Sequence, residues 1–282
     1  MKTAIITDST SYLSEELRKQ LDIYMIPLSV VIGQEAYREE VDMTTEAFYE
    51  VVRTEEKLPT TTQPPIGEFV KLYEQLANEY DAVVGVYLSS GISGTYQTSI
   101  AAADLVDGLT VHSFDSGISS APQAFYVLRA AELAREGKGP DDIMNELEAM
   151  RPFVKAYFVV DDLNHLKRGG RLSSAQALIG GLLQVKPLLH FVDKKIVPFE
   201  KIRTSKKALK RIADLFGEEY EKGEPLQAVI IHANREQEAG RWMEELQERF
   251  PDAAFSLSDF SPVIGTHLGE GALGFSWTKK NL

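Results

Sequence analysis

The stretch Leu88-Ser89-Ser90-Gly91-Ile92-Ser93-Gly94-Thr95-Tyr96 carries four hydroxyls (Ser89, Ser90, Ser93, Thr95) and two glycines. It follows the apolar run Ala82 to Tyr87 and leads into the Ala-rich helix former Gln97 to Ala103. A strand that ends in Ser-Ser-Gly and restarts as a helix leaves backbone N–H groups beside hydroxyls, a seat suited to a carboxylate or a phosphate. Capping a helix needs one hydroxyl, and four exceed that need. A second set of hydroxyls lies in Leu58-Pro59-Thr60-Thr61-Thr62-Gln63-Pro64-Pro65. Its prolines hold an extended loop and Pro65 suits a first helical position, before Ile66, Phe69, Leu72, Tyr73 and Leu76 mark one apolar helix face. N-capping accounts for one of these threonines and leaves two.

His267 sits among glycines, where backbone can approach a ligand closely and the imidazole can donate to it; a surface histidine in a glycine turn is the ordinary alternative. Ser93, Asp115 and His267 come in the serine-hydrolase order Ser, Asp, His. The nucleophile elbow G-x-S-x-G is missed, however, because Thr95 occupies its last position. No GxxxxGK[ST] occurs, and no GxGxxG follows the first strand, which sets aside P-loop and dinucleotide chemistry. Zero cysteines remove disulfides and thiolate chemistry. The five histidines form no HExxH or other close pair, so no metal site is expected.

A chain of 282 residues is long for one core, and one large or two medium domains are expected. The net charge of −12 argues against nucleic acid. The charge is uneven: Lys167 to Arg211 holds twelve Lys or Arg against Asp193 and Glu200. Such a local basic surface suits an anionic partner or ligand, or is the solvated face of one helix carrying Lys206, Lys207, Lys210 and Arg211. No stretch approaches about 18 apolar residues, and the opening Met1 to Asp8 meets an acid before a signal-peptide core could form. A cytoplasmic protein is expected.

The elements that must position these residues alternate. Ala4-Ile5-Ile6-Thr7 reads as a buried strand, Ser14 as the cap of a helix with Leu13 as its staple, and Ile26 to Ile32 as a second strand. After a Gly33-Gln34 turn and a polar connection, a helix starts near Thr45. A strand Leu109 to Phe114 leads through Asp115-Ser116-Gly117-Ile118-Ser119-Ser120 to a helix from about Ala121 to Gly137, and Pro140 opens another to Met150. This alternation predicts a mainly parallel, doubly wound sheet with Asp8, Ser90 and Asp115 at the carboxyl ends of its strands, where ligands sit. From Arg151 the pattern changes. Strand Lys155 to Val160, an apolar helix Ala175 to Leu183 with two adjacent glycines, and a hairpin with Asp193-Lys194 at its turn predict a mixed sheet with helices. Helix Ser205 to Tyr220, strand Ala228 to His232, helix Arg235 to Phe250 and strand Ala253 to Leu257 follow. The Ala175 to Leu183 helix is either simply buried or a flap over an apolar cavity. The expected architecture is two α/β domains, 1–157 and 158–282.

The motifs together resemble the DegV family: Thr3-Ala4-Ile5-Ile6-Thr7-Asp8-Ser9-Thr10, Thr61-Thr62-Gln63-Pro64, LSSGISGTY with Gln97, Leu166-Lys167-Arg168-Gly169-Gly170-Arg171, and Gly265-Thr266-His267 with Gly271-Ala272-Leu273-Gly274. The resemblance spans residues 3–280 in the family's order. It implies a two-domain α/β protein that binds a long-chain, palmitate-like fatty acid in a tunnel near the domain interface, with no cofactor and no catalysis of its own. For some members it implies service as the acyl-carrying subunit of a bacterial fatty acid kinase, presenting the carboxylate to a separate ATP-binding protein. By the same resemblance Thr61 and Ser93 hold the carboxylate, with His267 close by and Thr62, Ser90, Gly94 and Thr95 in support. Arg171 and Arg203 then belong to the basic face seen by the kinase subunit. One departure is visible: the family's Thr-Ser-Gln-Pro is Thr61-Thr62-Gln63-Pro64 here, which keeps the hydroxyl. A serine esterase using Ser93, Asp115 and His267, and a phosphate or phospho-sugar binding protein, are the alternative readings.

Overall fold

Residues 2–54, 58–172 and 186–280 are described by the computed structural model. The backbone divides into two units, Met1–Thr44 with Pro59–Pro152, and Thr45–Leu58 with Phe153–Leu282. The sequence reading cuts at 157/158, which would split the strand Lys155–Val159. It also leaves the helix Thr45–Thr54 with the first half. That helix instead joins the second unit, where Phe48 and Tyr49 lie against Gly265.

Among the described residues the first unit holds seven strands. They are β1 (Thr3–Asp8), β2 (Ile23–Ile26), β3 (Ser29–Ile32), β4 (Glu35–Arg38), β5 (Thr60–Thr62), β6 (Ala82–Tyr87) and β7 (Thr110–Asp115). The order β2-β1-β6-β7 forms one sheet, parallel throughout. Every residue of β1 and β6 is buried, as the near-continuous apolar runs of a sheet covered on both faces require. On one face Ala4, Ile6, Val83 and Tyr87 pack with Phe69, Tyr73 and Leu76 of α3 (Ile66–Leu76) and Ala102 of α4 (Thr95–Ala103). On the other, α5 (Ala121–Arg135) and α6 (Pro140–Met150) pack on β1 and β6. The short α1 (Glu15–Gln20) is capped by Ser14, whose Oγ accepts from Leu17 N. The doubly wound expectation therefore describes this sheet.

Two details differ from expectation. The single strand Ile26 to Ile32 is two, β2 and β3, in separate sheets, because Pro27 has no N–H to continue the ladder with β1. The polar connection after Gly33-Gln34 contains β4, and the extended loop before Pro65 contains β5. These two flank β3 in an antiparallel three-stranded sheet.

In the second unit, α2 (Thr45–Thr54) is followed by β8 (Lys155–Val159), α7 (Leu163–Arg168), β9 (Leu188–Val192), β10 (Lys195–Glu200), α8 (Ser205–Tyr220), β11 (Leu226–His232), α9 (Glu236–Arg249), β12 (Ala254–Asp259), α10 (Pro262–Leu268) and β13 (Leu273–Lys279). The sheet order is β10-β9-β8-β13-β11-β12. β11 and β12 pair in parallel and the other neighbours are antiparallel, giving the expected mixed sheet. One face packs Ala228, Ile230, Phe275 and Trp277 against Ile212 and Phe216 of α8 and Trp242 and Leu246 of α9. The hairpin turn is Asp193-Lys194, both with positive φ (47° and 69°), as a type I′ connection demands. The helix expected over Ala175 to Leu183, with its flap reading, lies outside the described residues. No helix among the described residues is long and apolar enough to cross a membrane.

The closing glycine-rich stretch carries two elements that its composition does not suggest. It holds α10, with Pro262 at its first position, and β13, which sits between β8 and β11 in the middle of the sheet. Gly274 fits inside this strand because the Phe260 ring occupies the space a Cβ would need.

Candidate functional site

The turn between β6 and α4 is shaped by two carboxylates at the ends of neighbouring strands. Asp8, the last residue of β1, accepts from Leu88 N through Oδ2 (2.7 Å). Asp115, the last residue of β7, accepts from Ser90 N through Oδ1 (3.1 Å), and the same oxygen takes Gly117 N (3.0 Å). Ser89 N donates to Ile118 O (2.7 Å), and Ile92 N and Ser93 N both reach Ser89 O (3.1 Å). Gly91 N is taken by Ser89 Oγ (3.2 Å). The N–H groups of Leu88 to Ser93 are thus spent on holding the shape of the turn. The N–H groups at the start of α4 itself lie beyond these bonds, beside the Ser93 and Thr95 hydroxyls.

Ser93 Oγ lies 2.9 Å from Thr95 Oγ1. Thr95 is fully buried and Ser93 half-buried. Either hydroxyl can donate; when Thr95 does, the Ser93 proton is available to an acceptor outside the turn.

Gly94, at the start of α4, has no Cβ, and a Cβ there would run into the Gln63 carboxamide. Gln63 uses the space to donate from Nε2 to Thr98 Oγ1 (2.6 Å), and Thr98 in turn donates to Gly94 O (3.1 Å). Gln63, whose role no spacing reveals, ties the threonine segment to α4. The threonines themselves are not helix caps: α3 starts after Pro65 with no side-chain cap. They form β5, with Thr61 opposite Val30. Strand alternation leaves Thr60 and Thr62 exposed and turns Thr61 to the half-buried side.

Asp8 is fully buried, and burial raises its pKa against the opposing pull of bonds from Thr10, Leu88 and Gln123. Thr10 donates to Asp8 Oδ1 through N (2.9 Å) and Oγ1 (2.5 Å), and Gln123 Nε2 reaches Oδ2 (3.2 Å). Arg151, stacked on Phe114 at 4.3 Å, fixes the far side by donating to Asp115 O (2.7 Å) and Ser116 O (3.2 Å). Asp115 therefore has a structural task in the first unit, as the clasp of two loops.

In the second unit, His267 stands in the last turn of α10, not in a loop. Its ring lies against the backbone of Gly169, where a Cβ would collide with Nδ1. Burial first, then the charges of Arg171 and His165, bring its pKa down to about 4. The imidazole is neutral at pH 7 and keeps one N–H donor. Arg171 is half-buried and folds back to donate to Gly169 O (2.5 Å), and burial lowers its pKa. Arg203 is exposed, just ahead of the α8 cap Thr204. Among the described residues no group of three or more His, Asp or Glu could hold a metal ion.

A family model described as "Uncharacterised protein, DegV family" matches residues 2–280. Protein DegV of Bacillus subtilis (strain 168) is 57% identical over 281 residues, covering 99% of this chain and 100% of the relative. Among solved structures, "DegV, a fatty acid binding protein from Bacillus subtilis" superposes with a TM-score of 0.95 at 56% identity, covering 99% of this chain and 100% of that one. A structure described as fatty acid binding of a DegV family protein from Thermus thermophilus has a TM-score of 0.91 at 31% identity, with 99% and 100% coverage.

Proposed function

The chain belongs to the DegV family, and from that premise we propose that it binds a long-chain fatty acid. The observation that carries the reading is the full-length match, in sequence and in fold, to the Bacillus subtilis protein described as fatty acid binding. In this proposal Thr61 and Ser93 hold the carboxylate by donated hydroxyl hydrogen bonds. Thr95 orients Ser93, Gly94 admits Gln63, and Thr62 and Ser90 are supporting hydroxyls. His267 enters as a neutral imidazole able to donate one N–H.

The energetics divide the work. Burying about fourteen methylenes at ~0.8 kcal/mol each contributes roughly 11 kcal/mol gross. A hydrogen bond to the charged head adds about 1.5–3 kcal/mol. The hydrocarbon, in an apolar tunnel, supplies most of the affinity, and the hydroxyls supply orientation. Neutral donors also suit a carboxylate that must be handed on, since a bidentate arginine would hold it harder. The proposal extends to a carrier that performs no chemistry itself and presents the acid to a fatty acid kinase subunit, with Arg171 and Arg203 on the face offered to that partner.

Native mass spectrometry of the purified chain tests the reading. Co-purifying fatty acid is expected, and Ser93→Ala is expected to weaken rebinding of palmitate. A chain with no extractable lipid, whose Ser93→Ala variant binds palmitate like the wild type, would falsify it. Labelling of Ser93 by a fluorophosphonate with ester turnover would support the esterase reading instead.

A further inference from the structure

Ser120 combines two costly features in one residue. It directly precedes α5, where a serine ordinarily accepts a hydrogen bond from the first helical turn, yet its side chain caps nothing. The residue is 2% exposed, and among the described residues no donor or acceptor reaches its Oγ. Buried hydroxyls are as a rule paired. Its backbone also sits at φ 67°, ψ −158°, a region that is essentially glycine's.

Neighbouring bonds hold it there. Gln123, three residues on and fully buried, directs its Nε2 donors at Thr7 Oγ1 (3.2 Å), Asp8 Oδ2 (3.2 Å) and Val86 O (3.3 Å). The first turn of α5 is thereby pinned to β1 and β6. On the other side the loop is fastened to the turn that bears Ser93: Ser116 N donates to Tyr87 O (3.0 Å) and Ser89 N to Ile118 O (2.7 Å). Since β6 and β7 are parallel neighbours, Ser120 and Ser93 share one carboxyl edge of the sheet.

We propose that Ser120 is a further ligand contact, its hydroxyl donating to an oxygen of the bound acid's head group. The inference rests on the fatty-acid reading. Hydrocarbon would leave the hydroxyl unpaired, so whatever meets it must be polar, and a carboxylate oxygen accepts strongly from O–H. The strained backbone turns the side chain out of its capping position and frees the hydroxyl for this use.

The test compares Ser120→Gly and Ser120→Ala in the full, delipidated chain, by palmitate binding, hexadecanol binding and thermal unfolding without ligand. Glycine adopts the backbone conformation without strain, whereas alanine keeps the strain and loses the hydroxyl. Both variants are expected to bind palmitate about tenfold more weakly while hexadecanol affinity moves much less. Ser120→Gly is expected to unfold roughly 2–4 °C higher than the wild type. A gain in stability with palmitate affinity within about twofold of the wild type is what a purely structural residue gives, and overturns the proposal. A wild type that binds no palmitate overturns the fatty-acid reading together with this one. Weakening by Ser93→Ala but by neither Ser120 variant removes the Ser120 contact alone.

Discussion

Two corners, one in each unit, are secured by opposite means. In the first, buried acids and amides accept or donate to backbone: Asp8 to Leu88 and Thr10, Asp115 to Ser90 and Gly117, Gln123 to Val86. In the second, side chains press into space left by glycines: His267 on Gly169, His165 on Gly269, Tyr49 and Phe48 on Gly265, Phe260 on Gly274. A hydrogen-bonded corner fails when an acceptor is removed, because the donors it served stay buried and unpaired. A corner packed onto glycine fails when a methyl group is added, because a dense interior cannot give way. The corner around Asp8 should therefore be fragile to subtraction and the corner around Gly265 to addition.

The largest effect expected from this contrast is at Asp8. Asp8→Ala strands Leu88 N–H, Thr10 N–H and part of the Gln123 amide in a dry site, and a loss of about 3–5 kcal/mol in urea unfolding is expected. A loss below about 1 kcal/mol would mean that the acid does not clasp the turn. Next comes His267. Its pKa is about 4 in the folded chain, against an ordinary value of 6.5. Between those pH values the unfolded chain takes up a proton that the folded chain refuses, so stability falls as pH drops through the window. The loss approaches about 3 kcal/mol once pH 4 is reached. Unfolding of the wild type and of His267→Gln from pH 7 to pH 4 isolates this limb, which the variant should lack. Burial is the first cause of the shift, so Arg171→Gln should move the limb only slightly, toward higher pH.

What was legible in the sequence follows the same division. Ser14, Pro140 and Asp193-Lys194 announced their elements because caps and turns are local chemistry. The parallel sheet was legible from strands alternating with helices. β13 and α10 were not, since Gly265, Gly269, Gly271 and Gly274 break the apolar periodicity of a strand or a helix. Their reasons are partners far away in the chain, such as the Phe260 ring over Gly274 and Tyr49 over Gly265. In the candidate site, the hydroxyls of Leu88 to Tyr96 were visible, but not the fact that Leu88 to Ser93 spend their N–H groups on the turn itself. The acceptor for Leu88 lies 80 residues earlier, beyond anything spacing can reveal. Gln123 gave no motif at all, although its bonds join α5, β1 and β6.

Two glycine-to-alanine changes bring the contrast to its smallest and sharpest form. At Gly265 a Cβ would fall 2.6 Å from Tyr49 Oη and 3.0 Å from Phe48 Cε1. Both rings are buried, so Gly265→Ala should cost about 1–3 kcal/mol, and Tyr49→Phe in that background should recover part of it. At Gly94 the obstacle is the exposed, flexible end of Gln63, and φ is −86°, open to any residue. Gly94→Ala should therefore cost at most about 1 kcal/mol, by releasing Gln63 from Thr98 into water. Because Gln63 is the tie between the Thr61 segment and α4, the same variant should weaken palmitate binding by more than its small loss of stability accounts for. Equal costs at the two glycines would show that packing governs both corners alike, and the contrast between them would then be lost.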